Sequence, residues 1–462
     1  MALRLTFWGG AGTVTGSNFL VEEDEAKVLI DCGLEQGRDV SGDAMYQPFP
    51  YEPASIGALI VTHAHLDHVG RIPKLVRDGF RGPIYMTAPT KELASLILHD
   101  SAGILGQDAK AKGLPLMYEE KDVDAAFELV EVVDYGKPFT AAGLTCVMRD
   151  TGHILGSGSV RIEGKDGTAL ALTGDIGNSP SPLLPDWQPV ADIDALVMES
   201  VYGDRSHPPH EERVEKLRNT LKDAIARGGA VLIPAFSLER TQLMLYELSN
   251  FFAQGSLPEV PVYLDSPLAI KVTSVYEKYG PEYFRKDAKA EMLKEKSLFE
   301  FPFLTKTESR QESDDIASVP NPKIIIAGAG MSHGGRIGRH EARHLPDSNS
   351  TLILVGYQAP GSPGRRMKDG ASTVRLDGKD VVMRAKVVNL EGWSAHADRD
   401  ELMRFAEESI SGGRTKVVFT ALGEPSSARF LAQRLHDYLG AKAVVPVQGE
   451  TWEVTKSSVR KL

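Results

Sequence analysis

Cysteine is almost missing: Cys32 and Cys146 are the only two in 462 residues. A disulfide framework is thereby excluded, and a reducing compartment, by default the cytoplasm, is expected. No stretch reaches the length of apolar sequence that a membrane-crossing helix needs, so no membrane is expected among the partners. The opening MALRLTFWGGAGTVTGSNFLVE also lacks the basic start, apolar run and small-residue cleavage site of an export leader. Excess positive charge is absent as well, the formal net charge being -11. No global field would draw the chain onto a polyanion, which must therefore bind through local basic groups or metals. Low-complexity tracts are missing, and histidine is scarce at 12 residues.

What is present is ordinary for a folded protein, with 42% apolar and 25% charged residues. The length suggests two domains, or one large domain carrying an insertion. Short apolar runs (LRLTFW, SNFLVE, KVLID) alternate with glycine-rich punctuation and read as strands and turns. GGAGTVTG, Gly9 to Gly16, looks like a dinucleotide loop, but another strand-like run follows where such a loop would open a helix. ALIVTH and LVMES read as buried strands ending in His63 and just past Glu199. From about residue 206 the rhythm changes to alternating helix and strand, including VLIPAF, PVYLD, KIIIAGAG and TLILVG. That middle part reads as a parallel α/β domain of its own. The tail, KVVFTAL, then a helix, then AVVPVQGE, looks like more of the first domain's sheet.

THAHLDH, residues 62 to 68, sets three of the twelve histidines and an aspartate within six positions. Imidazole nitrogens and carboxylate oxygens suit Zn2+, with Mn2+ or Fe as the other ions such a set holds. The HxH alternation lets His63 and His65 reach one ion, while Asp67 and His68, a turn on, can face a second. One loop supplies too few ligands, so others are sought at strand ends. His153 in DTGHILGSGS and Asp175 in LALTGDIG fit.

Taken in order, Asp31 in LIDCG, THAHLDH, TGHILGS and TGDIG resemble the successive motifs of the metallo-β-lactamase fold. MESVYGDRSH, PAFSLERTQ, DSPLA, AGAGM followed by GGR, and WSAHAD resemble its β-CASP branch, which includes bacterial ribonucleases and the nuclease that cleaves messenger-RNA precursors at their 3′ ends. The resemblance spans essentially the whole chain. It implies an α/β fold: a metallo-β-lactamase αββα sandwich formed by residues 1–205 and 386–462, with a parallel α/β (β-CASP) domain inserted over 206–385. It implies two Zn2+ ions, one on His63, His65 and His153, the other on Asp67 and His68, with Asp175 bridging and Asp31 orienting a ligand. A hydroxide activated by both metals would then attack a phosphodiester of single-stranded RNA, with Asp67, Glu199 and His396 as the catalytic set. His396 would be the general acid and Glu199 its orienting carboxylate. Arg240, Ser332 and the Gly334-Gly335-Arg336 turn would contact phosphates. A homodimer is compatible with this reading.

The pattern departs from the RNA-acting members where VFTALGEP puts Leu422 in place of a second-site histidine. Leucine cannot ligate a metal. The second site is then weaker and completed by water, or the protein resembles the DNA-cleaving members with an apolar residue there, or it is a catalytically silent nucleic-acid-binding paralogue. Val201, Glu239 and AGAGM are smaller departures, Glu239 placing a negative charge where a phosphate contact is expected. HEARH, His340 to His344, formally matches a zinc-protease helix. Its short span, interleaved arginines and lack of a third ligand favour a solvated or RNA-facing helix instead.

Overall fold

A computed structural model of the chain describes residues 2–35, 46–295, 297–359 and 361–462. It divides into two units, Met1–Ser206 with His396–Leu462, and His207–Ala395.

The first unit is built on two sheets, of eight and seven strands. Period-two alternation decides which side chains meet between them. In the strand Leu3–Gly9, Leu3, Leu5 and Phe7 point into one core, where they join Leu144, Cys146 and Met148 from Leu144–Asp150 of the other sheet. The central strands of the second sheet are buried on both faces. Ala195, Val197, Val417 and Phe419 face the inter-sheet core, while Leu196, Met198 and Val418 face Leu402, Phe405, Leu431 and Leu435 of the helices Arg399–Ile410 and Pro425–Leu439. Helices Ile72–Arg77, Ala88–Lys112 and Glu120–Phe127 accompany the first sheet, giving the expected αββα order. The tail rejoins both sheets rather than one: Val417–Ala421 pairs with Ala195–Glu199, and Thr451–Val454 pairs with Leu3–Gly9.

In the second unit six strands form one all-parallel sheet. Ala230–Pro234, Lys323–Ala327 and Thr351–Leu354 are buried throughout, as parallel strands covered on both faces must be. Lys386–Asn389 pairs with Thr351–Leu354. Residues 386–395 therefore belong to the inserted unit, and the boundary expected at 385 falls inside it.

Among the described residues no helix is long and apolar enough to cross a membrane.

Candidate metal centre

The first unit gathers its titratable residues where strands end. Ala26–Ile30 and Ala58–Ile60 run in parallel, so their C-terminal ends bring Asp31 and the THAHLDH loop side by side. Asp31 takes a left-handed backbone (φ 59°), a conformation aspartate tolerates better than most residues. The Ser17 N–H donates to the Asp67 carbonyl and the Cys32 N–H to that of His68, so the two loops are knitted together. Gly33 lies so close that a Cβ there would come within 1.6 Å of the Asp67 carbonyl oxygen. Ala169–Leu172, Ala195–Glu199 and Val417–Ala421 are parallel neighbours, and they end just before Asp175, at Glu199 and just before Leu422. His153 follows Leu144–Asp150 on a turn fixed by its N–H donating to Ser157 Oγ.

His63 Nε2 lies 3.1 Å from His65 Nδ1, which lies 3.2 Å from His153 Nε2. Asp175 Oδ2 is 3.3 Å from His63 Nε2 and 3.4 Å from His153 Nε2. Ligands about 2.0–2.1 Å from a tetrahedral zinc stand about 3.3 Å apart, so this set has the dimensions of a metal shell. Asp175 Oδ1 turns the other way, 3.5 Å from His68 Nε2, which is also 4.0 Å from Asp67 Oδ2. His68 Nε2 is buried with no hydrogen-bond partner among the described residues. An orphaned nitrogen beside two carboxylates is what a ligand awaiting a cation looks like.

Asp31 fixes His68 from behind. Its Oδ2 sits 2.7 Å from His68 Nδ1 and accepts from Ser17 Oγ and Thr62 Oγ1, while Oδ1 accepts the Thr62 N–H. Thr62 and Ser17 received no role from the sequence, although THAHLDH already contained the threonine. Once Asp31 was given an orienting task, its own hydrogen-bond donors were the thing to look for.

Burial pushes the His65 and His153 imidazoles well below their ordinary range, leaving neutral rings with lone pairs to share. Burial alone would raise Asp175, but His68, His396 and His63 hold it well below the usual carboxylate range. Its ion pairs among the described residues run only to histidines.

His396 Nδ1 is 3.2 Å from Glu199 Oε1 and its ring 4.6 Å from that of His153. Burial opposes its protonation, yet Glu199 and Asp175 outweigh that and lift it to about 9. His396 thus favours its charged form beside the neutral rings of His65 and His153.

Leu422 is 2% exposed with φ 46°, packed into the inter-sheet core. Its N–H donates to the Gly10 carbonyl at 2.6 Å and its carbonyl accepts the Ser200 N–H at 3.3 Å.

In the second unit Ser332, Gly334, Gly335 and Arg336 form one turn leading into the helix Gly335–His344. Ser332 Oγ donates to Glu341 Oε1 at 2.6 Å. Arg336 donates to Asp265 Oδ1 at 2.6 Å and to the carbonyls of Thr307 and Glu308. Arg240 is 6% exposed rather than on a solvated face. Glu239 does not bring the surface negative charge expected of it: it is buried, its carboxyl is pushed up to about 7 by burial, and Tyr276 donates a hydrogen bond to it. The HEARH segment is likewise not solvated. His340, Glu341 and His344 are all buried, with His340 Nε2 2.6 Å from Asp265 Oδ2, because the helix turns this face onto the parallel sheet and leaves its arginines outside.

Comparison with known proteins matches the chain to three family models. The metallo-beta-lactamase superfamily model matches residues 11–235, the Beta-Casp domain model 241–367, and the model of a Zn-dependent metallo-hydrolase RNA specificity domain 380–448. Ribonuclease TTHA0252 of Thermus thermophilus is 36% identical over 87% of this chain and 90% of that protein. The proteins called transcription termination factor FttA in Methanosarcina mazei and Pyrococcus horikoshii are 31% and 32% identical, over 95% and 96% of this chain and 69% and 70% of theirs. A crystal structure of a protein of unknown function from Enterococcus faecalis shares the fold, with a TM-score of 0.57 at 13% identity over 98% of this chain and 100% of that one.

Proposed function

The chain belongs to the metallo-beta-lactamase superfamily, in its β-CASP branch, and from that premise we propose that it is a cytoplasmic ribonuclease that hydrolyses single-stranded RNA with two zinc ions. His63, His65 and His153 would hold one ion and Asp67 and His68 the other, with Asp175 available to both. The observation that carries this is Asp175 itself, whose Oδ2 faces the three-histidine set while Oδ1 faces His68. Ions held there supply an activated water and charge stabilisation at the phosphorus.

The chain's own residues do the rest. Asp31 fixes the tautomer and angle of His68 through Nδ1, which strengthens Nε2 as a donor of electrons. Glu199 holds His396 by Nδ1, which leaves Nε2 as the nitrogen that would deliver a proton to the leaving 3′ oxygen. Arg240 and Arg336 are the weaker part of the substrate-binding set, since Arg240 is buried and Arg336 is held by Asp265. The Gly335 and Arg336 N–H groups at the start of Gly335–His344 remain the better phosphate contacts of the Ser332–Arg336 turn, the Ile337 N–H being taken by the Gly328 carbonyl.

One experiment separates the readings. End-labelled single-stranded RNA and DNA of one sequence are offered to wild type and His396→Ala, with and without chelator. Chelator-sensitive RNA cleavage that the variant loses is the expected result. Cleavage of DNA alone assigns the DNA nuclease that Leu422 permits. No cleavage of either, with no tightly held metal, assigns a silent binding role.

A further inference from the structure

Beginning at His396, rings and guanidinium groups alternate across the outside of the first unit. The Tyr202 ring centroid is 6.3 Å from that of His396, and the Arg205 guanidinium lies over Tyr202 at 5.5 Å. The Arg399 N–H donates to the Arg205 carbonyl at 3.0 Å. Arg399 opens the helix Arg399–Ile410, which packs on Pro425–Leu439, and its charge is felt by Tyr438. On Pro425–Leu439, Arg434 lies over two rings, 4.6 Å from the Tyr438 centroid and 5.9 Å from that of Phe430.

Phe430, Arg434 and Tyr438 recur every fourth residue and therefore share one helix face. It is not the core face, because Leu431 and Leu435 fill that. Tyr438 is 68% exposed and Phe430 42%. Positions outward at this spacing on a soluble helix are ordinarily polar. Here they offer π-faces with a guanidinium between them, the combination that binds unpaired bases without regard to sequence.

We propose that Tyr202, Arg205, Arg434, Phe430 and Tyr438 form a stacking track for the single-stranded RNA that flanks the scissile phosphate. The proposal rests on the ribonuclease reading above. Continuity with His396 is what favours RNA over a second copy of the chain, since a protein partner gains nothing from a path that starts at the general acid. Stacking rather than bulk charge is the attraction. Arg205 is paired with Asp204 and Arg399 with Asp400, whereas Arg434 lies over two rings and makes no close ion pair among the described residues. From Phe430 to Tyr438 the track covers about 12 Å at the helical rise per residue.

The test uses the zinc-loaded full chain with Phe430→Ser and Tyr438→Ser combined, and separately Arg434→Gln. The quantity read is kcat/KM for a single-stranded RNA long enough to run along the helix, divided by kcat/KM for a dinucleotide. That ratio should fall roughly ten- to a hundredfold in the double variant, the range for losing stacked bases. Phe430→Trp, which keeps the π-face, should restore it. An unchanged ratio overturns the track while leaving the ribonuclease intact; a wild type that cleaves neither substrate takes the ribonuclease reading down with it. Sedimentation that shows a dimer in wild type and a monomer in the double variant, with the ratio unchanged, gives the strip to a second copy instead.

Discussion

His396 Nδ1 and Glu199 Oε1 are 3.2 Å apart, and the same carboxylate oxygen accepts the Ile176 N–H at 2.7 Å. Glu199 is thus held by the backbone before it holds the histidine. The imidazole is thereby held through Nδ1. His396→Ala should lower single-turnover RNA cleavage about 10²- to 10⁴-fold, the usual worth of a general acid. Glu199→Gln should lower it less, because an amide oxygen can still accept from Nδ1. Metal content, read by elemental analysis, should be the same in both variants. A loss of zinc in His396→Ala would mean that the residue is a ligand.

Asp31 meets His68 directly and reaches His63 only through the Thr62 hydroxyl, which is 3.1 Å from His63 Nδ1. Asp31→Asn removes the charge and offers an NH2 where Ser17, Thr62 and His68 all require an acceptor. The second zinc equivalent should bind about 10- to 100-fold more weakly, the typical cost of losing such a partner. The first should be little changed. Competition with a chromophoric chelator resolves the two steps, and equal weakening of both would indicate a general collapse of the loop instead.

How much of this could be read beforehand depends on where each residue's partners lie. His63 to His68 form a contiguous cluster, and Asp175 and Glu199 stand at the ends of apolar runs, so they were legible as candidate site residues at strand ends. Alternation showed the strands that put Leu3, Leu5 and Phe7 on one face, whereas the αββα sandwich was implied by the resemblance to the metallo-β-lactamase fold. The Ser17 hydroxyl was not legible, because it meets an aspartate fourteen residues on. HEARH misled in a different way. Interleaved arginines suggested a solvated helix, but Asp265, some seventy residues earlier, draws His340 inward. The inserted unit's end was missed because VVN pairs with a strand from residue 351 onward, a parallel contact that leaves no local signature.

Burial pushes the Glu341 carboxyl up to about 8, against the modest lowering that the Ser332 hydroxyl supplies. The folded state therefore prefers the neutral acid, while the unfolded chain ionises near its ordinary value. Stability from this group is complete below about pH 4.5 and is lost as pH rises towards about 8, beyond which it levels off. Glu239 and Glu247, each raised to about 7 by burial, act in the same direction. Urea midpoints of the wild type should fall between about pH 5 and pH 9. Glu341→Gln should flatten that slope and be the more stable form at the alkaline end, by an amount on the order of a few kcal/mol. Parallel profiles for the two proteins would show that Glu341 does not carry the effect.

Leu422, where the resemblance leads one to expect a second-site histidine, has a backbone held independently of its side chain. The Gly10 carbonyl and Ser200 N–H pin it on either side at φ 46°. Because those bonds are main-chain, Leu422→His should keep the backbone and exchange only what projects from it. The cost is the loss of an apolar side chain that is 2% exposed, about 1–3 kcal/mol in the metal-free protein. A gain should appear on adding zinc: the second equivalent binds more tightly, and the melting temperature of the variant rises more on metal addition than that of the wild type. If the second equivalent binds no better, the new imidazole does not reach Asp67 and His68, and the second site is completed from elsewhere.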